Sequence, residues 1–181
     1  MAIAATAAIA GERQRGTLEV LLARPIPRRV AYFTLLICAL IFVAVVMFAF
    51  LAGAFVSATV NGVIGEIPAD RLALVWLNGL LLFGAIAAIG LAASVSFDRL
   101  SPALGITLAV VLVSYFLQIL GSLWPDAKGL QPYSLFHYLD PKAVLTAGAN
   151  TFNFALLGVV ALVAVVAALV IFPRRDLAAP S

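Results

Sequence analysis

Four long apolar runs divide the chain, at Tyr32 to Thr59, Leu72 to Val95, Pro102 to Trp124 and Phe152 to Phe172, and none contains Asp, Glu, Lys, Arg or His. At 1.5 Å per residue each is long enough to cross a hydrocarbon layer of about 30 Å as an α-helix. The runs are apolar all round and lack the period-two alternation of barrel strands, so helices must satisfy their backbone groups within the bilayer. The pattern predicts an all-α integral membrane protein, a polytopic helix bundle of four full transmembrane helices forming one transmembrane domain over residues 1–181. Met1 to Ala10 is a shorter apolar run. Ten residues rise only about 15 Å as a helix, so this run reads as the remnant of a span. A signal peptide is a poor description, because charge follows the run and does not precede it.

Composition makes lipid the required solvent. Hydrophobic residues make up 65 % of the chain and charged residues 10 %, with a mean hydropathy of +1.17, too little polar surface for a soluble fold of this length. The net charge is +3, and the basic residues gather in short segments between the apolar runs. They form no extended face that could follow a phosphate backbone, which argues against a nucleic-acid partner. Cys38 lies within an apolar run and reads as a packing residue. Arg13, Arg15, Arg24, Arg28, Arg29, Arg99, Arg174 and Arg175 fall on one side of a four-span topology, against Arg71, Lys128 and Lys142 on the other. The positive-inside rule then predicts a cytoplasmic 11–29 segment and C-terminus, with 60–71 and 125–151 outside, as in a multi-pass cell-membrane protein.

The spans lack the ionisable groups that ion-coupled carriers place near the bilayer midplane, which argues against a self-powered carrier. Their polar residues include Asn78 and, on the third run, Ser114 with Gln118 one turn later. Ser114, Tyr115 and Gln118 are candidates for a substrate path, and hydrogen bonding between helices accounts for such residues equally well. Small residues recur every fourth position at Ala49, Gly53 and Ser57 and again at Gly84, Ala88, Ala92 and Ser96. Such ladders suit a subunit seam or ordinary packing within one bundle. Phosphate-binding chemistry is missing: no G-x-x-x-x-G-K-[ST] occurs, and both lysines, Lys128 and Lys142, lie between the last two runs. His137 stands alone, so no catalytic, cofactor-binding or metal-ligating residue is assigned.

Residues 125–151 carry Tyr133, Phe136, His137 and Tyr138, then Asp140 and Pro141, which suit an N-cap and first helical turn, with Gly148 as a stop. Short interfacial helices are expected here. They can act as an aromatic belt anchoring the last span.

The segment from Gly11 to Arg29 reads GERQRGTLEVLLARPIPRR. Mixed charges precede Leu18, Leu21 and Leu22, and Pro25 and Pro27 end any helix, so a short amphipathic helix over residues 12–24 is expected along the membrane surface. The string resembles the E-R-x-x-G-T-L-E-x-L-L-x-x-P-x-x-R pattern between the second and third spans of type-2 ABC transporter permeases. YSLFHYLDP at Tyr133 to Pro141 and FPRRDL at Phe172 to Leu177 are similar to the same family in order and sidedness.

The resemblance implies that residues 12–24 form a coupling helix, with Glu12, Arg13, Arg15, Gly16, Thr17, Glu19 and Arg24 docking an ABC ATPase subunit. It further implies a second permease subunit, the same or different, and ATP with Mg held by the ATPase and not by this chain. Residues 125–151 become a cap or exit gate, and the direction of transport points to export. Family members usually have six spans, so the resemblance implies that the first is missing here and that Met1 to Ala10 is what remains of the second. Two alternatives of other classes stay open: a membrane scaffold or assembly factor recruiting a cytoplasmic partner, and an intramembrane enzyme using Ser94, Ser114, Tyr115 or His137.

Overall fold

A computed structural model describes residues 6–7, 28–62, 68–97, 99–148 and 150–174. Four long helices are present: α1 (Arg28–Val60), α2 (Ala69–Ser96), α3 (Leu100–Leu123) and, at the end of the chain, α5 (Thr151–Arg174). Between α3 and α5 lie two 3₁₀ turns, Pro125–Tyr133 and Leu135–Tyr138, and a short helix, α4 (Pro141–Ala147). No strand occurs among the described residues. All four long helices are long and apolar enough to cross a membrane, so the chain is an all-α, multi-pass membrane protein. The 1–10 run falls almost wholly outside the described residues; of it only Thr6 and Ala7 are described, both helical.

Helices this uniformly apolar have no solvent-facing stripe, and burial in protein separates them instead. In the most apolar window of α1 only 6 % of residues are buried, against 44 % in α2. α1 therefore presents its large side chains, among them Ile41, Phe48 and Phe50, to the surroundings, as a lipid-facing helix does. α2 is the most buried of the four.

Each long helix contributes one portion to each of two compact units. The first unit comprises residues 1–39, 85–111 and 160–181. The second half of α2 supplies much of its described core, where Ala85, Ile86, Ala87, Ala88, Leu91 and Val95 are buried, and Tyr32, Ala103 and Ala168 of the other helices are buried as well. Small side chains there let neighbouring backbones approach closely, which in lipid supplies dispersion contacts that the hydrophobic effect does not. Ala93 and Ala103 pack together with Phe97 and Leu100 at the tight passage from α2 to α3. Thr107 donates to the Ala103 carbonyl at 2.9 Å and accepts from Thr6 Oγ1 at 3.0 Å. Hydroxyls in spans return to their own backbone elsewhere too, Thr34 to Val30 O and Ser96 to Ala92 O, which removes the cost of an unpaired donor in hydrocarbon.

The second unit comprises residues 40–84 and 112–159. Here α1 and α2 meet at Gly79, where a side chain would bring its Cβ to 2.6 Å from Met47 Sδ. Trp76 Nε1 donates to Ala44 O at 3.2 Å across the same contact. On α3, Gly121 is bare because Gln131 of the first 3₁₀ turn occupies the place of a side chain.

The two small-residue ladders have different fates. Gly84 and Ala88 are buried and Ala92 and Ser96 half-buried, as packing within the chain requires, whereas Ala49, Gly53 and Ser57 are all exposed.

Candidate functional site

The polar groups of the second unit converge on the connector between α3 and α5. α4 is set by local chemistry: the Asp140 carboxylate accepts from Ala143 N at 2.9 Å, Pro141 occupies the first turn and Gly148 ends the helix at φ 91°, a conformation costly for any residue with a Cβ. Ser134 caps the preceding 3₁₀ turn by accepting from Phe136 N at 3.1 Å. The same buried hydroxyl donates to Ser114 O of α3 at 2.6 Å. Tyr138 donates from its phenol to Pro132 O at 2.7 Å, and its backbone carbonyl accepts from Asn78 Nδ2 of α2 at 3.1 Å. At the start of α2, Arg71 Nη1 donates to Leu145 O at 2.8 Å and to Thr146 O at 2.5 Å. The connector is thus hydrogen-bonded to α2 at two places and to α3 at one.

Aromatic rings fill the space between these bonds. Tyr115 meets Phe136 edge-on with centroids 5.7 Å apart, His137 meets Tyr138 at 5.3 Å, and Tyr138 leans on Phe152 at 6.4 Å. His137 is half-buried against these rings. Among the described residues no group of His, Cys, Asp and Glu is placed to hold a metal ion.

The three candidates for a substrate path sit differently. Ser114 is buried and holds the connector through its carbonyl, Tyr115 is exposed and meets Phe136 edge-on, and Gln118 is half-buried. Gln118 Oε1 and Asn78 Oδ1 are buried acceptors with no partner among the described residues. Two apolar cavities flank Trp76. One, of about 260 Å³, lies among Met47, Leu51, Trp76, Gly79, Phe83 and Leu139, and the other, of about 500 Å³, among Phe48, Phe55, Leu72 and Trp76. Neither is lined by Ser114, Tyr115 or Gln118. The ATPase-docking candidates Glu12, Arg13, Arg15, Gly16, Thr17, Glu19 and Arg24 lie outside the described residues.

Arg71 and Ser134 were not among the sequence candidates. Arg71 is a lone cation at the head of an apolar run, a signal that marks topology and not a partner 74 residues away. Ser134 stands in an aromatic string where only its position before a turn hints at a cap.

The family model for the ABC-2 family transporter protein matches residues 1–177. The chain belongs to that family. No curated protein and no solved structure matches it. An ABC-2 family chain is a transmembrane component of an ABC transporter and is not itself the catalytic subunit. The permease assignment accords with four membrane-spanning helices that carry no ionisable side chain in their apolar runs. The family works in general with an ABC ATPase subunit.

Proposed function

We propose that this permease moves its substrate out of the cell across the cell membrane, driven by ATP that a separate ABC ATPase subunit binds with Mg and hydrolyses. Two permease subunits, identical or different, pair in the membrane, and each receives an ATPase on the amphipathic helix at residues 12–24. The C-terminus and that helix face the cytoplasm, and the 125–151 connector faces outward. ATP binding shifts the pair between inward-open and outward-open forms, and Ser114, Tyr115 and Gln118 lie along the path.

The observation that carries this reading is the family match over residues 1–177, which takes in the 12–24 segment as well as the spans. The charge distribution supports the sidedness, since eight arginines fall on the proposed cytoplasmic side. Coupling requires the docking helix to bind its partner with different energies in the two states, so its polar face should matter more than charge elsewhere. Reversing Arg13 and Glu19 together, Arg13→Glu with Glu19→Arg, is expected to lower capture of the ATPase subunit by the permease in nanodiscs. Capture equal to that of the unaltered chain would refute the role of this helix.

A further inference from the structure

We propose that Arg71 is a positioning residue that locks the connector to α2, so that residues 138–148 move together with α2. α4 has seven residues, and the last carbonyls of any helix lack partners within it. Val144 O is served by Gly148 N at 3.0 Å. Leu145 O and Thr146 O are served by the Arg71 guanidinium. A cation at this end also meets the negative pole of the helix. The match is therefore electrostatic as well as geometric.

A single attachment to α2 would let residues 138–148 pivot about it. The second attachment, Asn78 Nδ2 to Tyr138 O, lies seven residues further along α2, roughly 10 Å at 1.5 Å per residue. Two anchors that far apart on one rigid helix suppress rotation of the connector about either. Between their landing points the chain passes through the Asp140 cap and Pro141, which leave little slack. An arginine at a membrane boundary ordinarily extends toward water and headgroups; here Nη1 is turned back onto two carbonyls of the chain. In the transport cycle proposed above, the connector then serves as a fixed cap carried by α2 and not as a flap with its own hinge. The lock itself does not depend on that cycle, and it is tested without any ATPase.

Nitroxide pairs at Leu74→Cys on α2 and Ala143→Cys on α4, in a Cys38→Ala chain in nanodiscs, report the α2–α4 distance by pulsed electron resonance. The expected result is one narrow distribution for Arg71, at least a twofold broader one for Arg71→Gln, and an intermediate width for Arg71→Lys, which keeps the charge. A narrow distribution in Arg71→Gln overturns the lock. Should Arg71→Gln fail to give a monodisperse protein, hydrogen exchange on the unaltered chain decides. The amides of 142–148 and of 71–74 should open together with equal protection, and earlier, independent opening of α4 overturns the proposal.

Discussion

Replacing Ser134 by Ala tests how the connector is held, because one buried hydroxyl makes both a local and a long-range bond. Ser134 is fully buried, donates to Ser114 O and accepts from Phe136 N. Hydrogen bonds between helices in membranes average about 0.6 kcal/mol and reach about 1.7. Loss of a cap costs about 0.5–2 kcal/mol, more when the freed N–H is buried. The Ser114 carbonyl lies within α3 and keeps its helical role, so no further penalty arises there. The sum is roughly 1–4 kcal/mol, a factor of about 5–700 in the equilibrium for local opening. Hydrogen exchange resolved to single amides in nanodiscs measures it directly. Amides of 135–139 should exchange faster by that factor in Ser134→Ala, those in the middle of α2 should be unchanged, and Ser134→Thr, which keeps the hydroxyl, should restore much of the protection. Exchange of 135–139 within twofold of the unaltered protein would refute the reasoning, since the hydroxyl would then hold nothing.

Two other substitutions probe the packing and capping of the same unit. Gly79→Leu forces a side chain onto Met47 and should destabilise the protein by about 1–3 kcal/mol in mixed-micelle unfolding; adding Met47→Ala should recover part of the loss, which separates overpacking from helix propensity. Asp140→Ala removes the acceptor for Ala143 N and should loosen α4 by about 1 kcal/mol, read as faster exchange of its first-turn amides, while Asp140→Asn should retain most of the protection.

How much of this was legible in the sequence depends on the range of the physics involved. The four spans follow from hydropathy alone, because a bilayer demands a long apolar run with internally paired backbone. The limits of α4 follow from Asp140, Pro141 and Gly148, whose effects reach only a few residues along the chain. The ladders show where such reading stops: Ala49-Gly53-Ser57 and Gly84-Ala88-Ala92-Ser96 have the same spacing, yet the first is exposed and the second is largely packed. Spacing describes a surface and not what lies against it. Asn78, Ser114 and Gln118 stood out as polar residues in apolar runs, but their partners did not. Asn78 reaches the carbonyl of Tyr138, and Ser114 offers its backbone to Ser134, so each bond uses a main-chain group that every residue possesses and no motif records. Arg71 is the same case in reverse, a conspicuous side chain serving two anonymous carbonyls.

The central claim is that the permease receives its energy through the helix at residues 12–24 on the cytoplasmic face. Single cysteines at Thr17→Cys and Thr146→Cys, in a Cys38→Ala chain, can be tested with a membrane-impermeant maleimide on sealed vesicles of known orientation. The account predicts that position 17 reacts only in inside-out vesicles and position 146 only in right-side-out vesicles. Reaction of position 17 from the outside would contradict it.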